Sequence, residues 1–177
     1  MGSSLLFTAL NDYRVRAVLI GFEAYLVLFL LLHFLITGSL EALYFAITLV
    51  LSGFIWKGIK QVAIMFFPKA SLRPHGAQDC HSFPGSGGAS KTGMPSGHST
   101  GAALMAVCAI DFIWNRSKVQ GTEQKILATV IVSILALLIM LSRIAYHCHT
   151  PAQVIAGGSL GIALGFISIA IQSKIRH

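Results

Sequence analysis

Five apolar runs, separated by short polar segments, dictate what this 177-residue chain can fold into. Ala17 to Gly38 is interrupted mainly by Glu23 and His33, and Ala42 to Phe67 by Lys57, Lys60 and Gln61. Thr100 to Trp114, Ile126 to Leu141 and Val154 to Ile171 follow. Hydrocarbon offers no partner for a peptide NH or C=O, so segments of this kind must bond internally as helices. With 55% hydrophobic and 11% charged residues and a mean hydropathy of +0.75, the composition excludes an ordinary soluble domain. The expected fold is all-α: a polytopic membrane helix bundle of about five transmembrane helices, forming a single domain over residues 1–177. The third and fourth runs are short for a bilayer of about 30 Å, so their helices should extend into flanking polar residues. The second is long enough to tilt, or to break near Lys57 into a span and a short sixth helix. The first run begins well inside the chain and lacks a small-residue cleavage pattern, so it reads as a retained helix rather than a signal peptide.

The formal charge of +7 does not point to nucleic acid, because no basic stretch is interleaved with exposed aromatics. A membrane surface and an anionic substrate are the expected partners. Cys80, Cys108 and Cys148 show no paired short spacing; Cys108 reads as a buried thiol in a span. Whether Cys80 and Cys148 pair is left open, since that requires their face to be lumenal or periplasmic. His75, Cys80, His81, His147 and Cys148 lack the spacing of a zinc ribbon or metallohydrolase, so no metal site is expected. Glu23 and Asp111 are ionisable groups within apolar runs, readable either as functional or as packed and neutral.

The chemistry concentrates in three polar stretches: Arg73-Pro74, Pro95-Ser96-Gly97-His98, and Ser142-Arg143 followed by His149. Counting spans places the Pro68 to Pro95 loop, the start of the third span, the end of the fourth and the start of the fifth on one membrane face. The three stretches can therefore form one site. Arginine brings planar paired donors for phosphate oxygens, and histidine can act as nucleophile or proton donor. A helix beginning at Ser96-Gly97 presents unpaired NH groups, with Gly97 allowing close approach of a phosphate. Each element also has a plain alternative: Ser96 as a helix cap, His98 and His149 as interfacial polar residues, Arg73 and Arg143 as membrane anchors. The loop at about 68–95 holds five glycines and reads as an irregular loop or lid, with Ser82 to Thr92 its most flexible part.

Together these blocks resemble the type 2 phosphatidic acid phosphatase superfamily, whose pattern is a Lys and Arg-Pro block, a Pro-Ser-Gly-His block, and a Ser-Arg block ending in His. The resemblance implies a metal-independent lipid phosphatase without cofactor, acting through a phosphohistidine. Carried over, His149 is the nucleophile and His98 the general acid. Lys69, Arg73, Pro74, Ser96, Gly97 and Arg143 become the substrate-binding set, and the family spacing favours His149 over His147. Phe66 stands where the family has its lysine, seven residues before Arg73. Lys69 is the expected substitute, and Lys60 the second candidate if the segment carries an insertion. Gln153 stands where most members have an aspartate four residues after the nucleophile. Its carbonyl can orient His149 without adding charge, and Gln153→Asp is expected to retain or raise activity. His149-Thr150-Pro151-Ala152-Gln153-Val154 is closest in wording to the dolichyl/polyisoprenyl diphosphatase branch. The expected substrate is a lipid phosphate or diphosphate, of polyprenyl, dolichyl or phosphatidate type. A lipid phosphotransferase and a non-catalytic anionic-lipid binding or transport protein are the alternatives. Loop charges do not choose the sidedness, but the resemblance implies a site on the outer or lumenal face.

Overall fold

The computed structural model describes residues 13–77, 80, 91–118 and 121–175. Helices account for almost all of them, in the order α1 (Tyr13–Thr37), α2 (Leu40–Phe66), α3 (Pro68–Ser71), α4 (Gly97–Asn115), α5 (Thr122–Ala145) and α6 (Pro151–Ile175). The expected all-α membrane bundle is what forms. By length and composition α2, α5 and α6 are able to cross a membrane, and Gly21–Thr37 is a shorter apolar helix.

Local chemistry explains the boundaries. Gly38 ends α1 with a positive φ of 69°, and Ser39 caps α2 by accepting from the Ala42 NH at 3.3 Å. α2 runs unbroken through Lys57, so the break considered there does not occur. The helix stops instead at Phe66, because Pro68 disfavours helical backbone at Phe67, which sits at φ −132° and ψ 59°. Pro68 then starts the single turn of α3, so the segment expected as an irregular loop or lid opens with a helical turn. Leu72 and Thr92 pair as an isolated antiparallel bridge closing the base of the loop. Most of the stretch expected to be most flexible, residues 82–90, lies outside the described residues.

Packing centres on α4, which is buried continuously from Gly97 to Leu104 and packs most extensively on α6. Gly157, Gly161 and Gly165, four apart, make that approach possible. A Cβ at Gly161 would collide with the Thr100 carbonyl oxygen, and one at Gly157 with that of Ser96. Small residues at this spacing let helix backbones touch in lipid, where apolar side chains gain nothing by leaving their surroundings. Phe45, Leu49, Leu104 and Cys108 form the core beside this seam, Cys108 as a buried free thiol. α5, by contrast, turns Ile126, Leu127, Val130, Ile131, Ile134 and Leu135 outward, as a lipid-facing helix should.

Candidate active site

Three chain segments meet at one end of the bundle, as the span count requires: the C-terminus of α2 with α3, the N-terminus of α4, and the turn from α5 to α6. Between them opens a cavity of about 630 Å³ lined by Lys57, Lys60, Arg73, Gly97, His98 and His149. It continues between α1 and α2 over Ala24, Val27, Leu28, Leu31, Leu49 and Val50, an apolar groove leading away from the cations.

The turn that carries His149 is built by a helix C-cap. Tyr146 caps α5, His147 takes the left-handed conformation at φ 53°, its NH bonds to the Ile144 carbonyl at 2.9 Å, and the Cys148 NH bonds to that of Arg143 at 3.0 Å. His147 is thereby the exposed cap residue, while His149 is buried (3% exposed) and faces the cavity. α6 then starts with a capping box. The Gln153 NH donates to Thr150 Oγ1 at 3.3 Å, and the Thr150 NH to Gln153 Oε1 at 3.3 Å.

Gln153 fixes the imidazole through the same amide. Its Nε2 donates to the carbonyls of Leu72 at 2.7 Å and Ala70 at 3.0 Å, which sets which end of the amide is which. Oε1 is then an acceptor, so His149 Nδ1, 3.3 Å away, carries the proton. His149 Nε2 is left with a lone pair, 3.1 Å from Arg73 Nη1, which also donates to the Cys148 carbonyl at 2.7 Å. Burial pushes the His149 imidazole down to about 2, and the charges of Arg73, Arg143, Lys60 and His98 act in the same direction. The ring is neutral at working pH, with its basic nitrogen turned toward a guanidinium.

Arg143 is fully buried behind this turn and donates to the Cys80 carbonyl at 3.2 Å. Cys80 and Cys148 form a disulfide with Cα atoms 5.5 Å apart, settling the pairing that spacing left open and removing both sulfurs as thiolate ligands. Ser96 is fully buried and accepts from the Ser99 NH and hydroxyl at 3.4 and 2.9 Å, so the cap reading describes its side chain. Gly97 and His98 (7% exposed) open onto the cavity. A Cβ at Gly97 would meet the Trp56 indole at 2.8 Å, so glycine there makes room for an aromatic ring. Pro74 starts a turn closed by the Ala77 NH at 3.2 Å and passing through Gly76 at φ 82°. Lys69 is exposed on α3, outside the cavity lining, whereas Lys60 is 8% exposed with Nζ 4.8 Å from the centre of the Trp56 ring.

Trp56 is the site residue that motif reading missed. Its signal was present: Gly53, Trp56, Lys57 and Lys60 recur at i, i+3, i+4 and i+7, one helix face, and all four line the cavity. Glu23 lines it from α1, with Oε1 buried and without a hydrogen-bond partner. A Cβ at Gly101 would collide with that carboxyl.

A family model described as the PAP2 superfamily matches residues 41–177. A solved structure described as the first transmembrane PAP2-type phosphatidylglycerolphosphate phosphatase, from Bacillus subtilis, shares the fold with a TM-score of 0.64 at 22% sequence identity. That match covers 96% of this chain and 76% of the other. No curated protein matches the chain significantly.

Proposed function

Because the chain belongs to the PAP2 superfamily, and is a membrane-embedded lipid phosphatase of that type, we propose that it hydrolyses a lipid phosphate or diphosphate ester through a phosphohistidine at His149. The observation that carries this reading is the state of His149. Its Nδ1 proton is held by Gln153 and its Nε2 lone pair is directed into a cationic cavity. In the first step Nε2 attacks phosphorus, the N–P bond forms and the P–O bond to the leaving group breaks, with His98 giving a proton to the departing oxygen. In the second, water gives its proton to His98 and attacks phosphorus, breaking the N–P bond and releasing phosphate. Arg73 and Lys60 stabilise the equatorial oxygens where charge accumulates, with the α4 N-terminus at Gly97 beside them. Lys60 takes the role for which Lys69 was the first sequence candidate, since it lines the cavity and Lys69 does not.

The apolar groove between α1 and α2 supports a lipid substrate, with the tail among Val27, Leu28, Leu31 and Leu49 and the headgroup at His149. A polyprenyl or dolichyl diphosphate and a phosphatidate both suit that division of polar and apolar walls. We assign the active-site face to the non-cytoplasmic side, as the family resemblance implies; the Cys80–Cys148 disulfide supports this because such bonds persist in oxidising compartments.

The test is phosphate release from a panel of polyprenyl and glycerolipid phosphates in excess chelator, with and without an acceptor alcohol, alongside acid-labile phosphoenzyme trapping. The expected result is metal-independent hydrolysis and a trapped phosphoenzyme that His149→Ala lacks. Phosphoenzyme persisting in His149→Ala would remove the nucleophile assignment. Transfer of phosphate to the alcohol in preference to water would make the protein a phosphotransferase.

A further inference from the structure

We propose that the Cys80–Cys148 disulfide is a positioning element of the phosphate site, presenting the two cysteine carbonyls to Arg143 and Arg73 and so fixing the Arg73 guanidinium at the cavity and the buried Arg143 behind the His149 turn. The inference rests on the phosphatase reading above.

Its basis is an arrangement that a simple loop staple does not require. The carbonyl of each bridged cysteine accepts from an arginine: Cys148 from Arg73, on the cavity lining, at 2.7 Å, and Cys80 from Arg143, buried behind the turn, at 3.2 Å. The backbone NH groups of Cys148 and His149 both bond the Arg143 carbonyl, at 3.0 and 3.1 Å. The bridge, its two carbonyls, the two guanidinium groups and the nucleophile therefore form one connected unit, drawn from three separate chain segments. Cys80 (3% exposed) and Cys148 (0%) lie in a small apolar cluster with Tyr146, beside Leu19 and Ala77.

Arginine has a long, flexible stem, and its two paired donors act on phosphate only when the plane is set. A carbonyl that accepts from one guanidinium nitrogen helps to set it. For Arg73 the anchor is within the same residue pair as the nucleophile. For Arg143 it comes from Cys80, 63 residues away in sequence, and the disulfide is the covalent link that holds Cys80 against the His149 turn. Making the bond from two thiols releases two protons and two electrons, which a disulfide-donating thiol oxidoreductase on that side of the membrane accepts.

The test compares oxidised enzyme, enzyme reduced by a phosphine, with maleimide labelling confirming two freed thiols, and the Cys80→Ala/Cys148→Ala double variant. Cys108→Ser, in the core, is the control. The variant reads the same quantity if phosphine does not reach the buried sulfurs, and the reduced wild type reads it if the variant folds poorly. Each is assayed well below its melting temperature for kcat/KM on a lipid phosphate and for inhibition by orthovanadate. The expected result is a loss on the order of tenfold to a hundredfold in both, reversed on reoxidation of the wild type. The loss should shrink to near onefold in an Arg73→Gln/Arg143→Gln background, because the bridge acts through those side chains. A lower melting temperature with unchanged vanadate inhibition and kcat/KM would overturn the proposal, leaving a structural staple. Thiols that label without reduction in native membranes would also overturn it. Oxidised wild type that neither hydrolyses lipid phosphates nor responds to vanadate would sink the phosphatase reading, and this inference with it.

Discussion

α4 carries a charged cluster at each end, and the two are built oppositely. At its C-terminal end Arg116 donates to the side chains of Asp111 and Gln172, lies 3.9 Å from a Glu41 carboxylate oxygen, and sits 5.7 Å from the centre of the Phe45 ring. One cation meets two carboxylates, and the cluster ties α2, α4 and α6 together. At the N-terminal end Lys57, Lys60, Arg73 and the two histidines line a cavity with Arg143 buried behind. Among the described residues the carboxylate on that lining is Glu23 alone. Balanced charge is a fastening. Unbalanced charge around an open cavity is a receptor, because the self-repulsion of the cations is relieved when an anion enters.

Breaking each cluster should have a different consequence. The largest effect is expected from His149→Ala, which should lower phosphate release on the order of a thousandfold or more at unchanged melting temperature, measured by steady-state hydrolysis and thermal unfolding. Arg116→Ala should do the reverse. It leaves the half-buried Asp111 with the Asn115 amide but without its cation, so unfolding free energy should fall by roughly 1–2 kcal/mol while kcat at low temperature stays near that of the wild type. If Arg116→Ala cut kcat at full folding, the two ends would not be separable.

Next comes Arg73→Lys, expected to cost on the order of tenfold to a hundredfold in kcat/KM. An ammonium cannot bond the Cys148 carbonyl and face His149 Nε2 in the planar geometry the guanidinium provides. Near-normal kinetics in this variant would show a point charge to be sufficient.

Gln153 sharpens the comparison further, since its amide serves the site and the fold together. Gln153→Ala should lower kcat on the order of tenfold with a small change in KM. The structure also reverses the expectation for Gln153→Asp. A carboxylate has no proton for the Ala70 and Leu72 carbonyls, so it should be less active than wild type, not more. Activity in Gln153→Asp at or above wild type would show that charge on His149 outweighs the anchoring of the Ala70 and Leu72 carbonyls beside Arg73.

The smallest effect expected is in pH dependence. His149 is held in the folded protein at about 2, below its unfolded value of 6.5, so the unfolded chain binds a proton that the folded one excludes. Stability is therefore unaffected well above pH 6.5 and falls as pH drops below it. Melting temperature between pH 7 and pH 5 should decline less in His149→Gln than in wild type. Equal slopes would mean that the ring protonates freely in the folded state.

The amino-acid sequence determined the class of fold and the meeting of the three motif stretches. Apolar runs in lipid have only the helix available to them, and a chain that crosses a bilayer alternates faces, so parity alone brings Arg73, His98 and His149 to one end. It also contained, unread, the α2 face of Gly53, Trp56, Lys57 and Lys60 and the capping box of Thr150 and Gln153. Other features belong to the tertiary structure, because each depends on partners far apart in the chain. Which lysine lines the cavity follows from where α2 ends and how its last turns rotate against α4, with Gly97 admitting the Trp56 ring. The second task of Gln153 requires the Ala70 and Leu72 carbonyls, more than 80 residues away. The Cys80–Cys148 bond needs two Cα atoms within 5.5 Å across 68 residues, a distance that no local pattern encodes and only the packed bundle supplies.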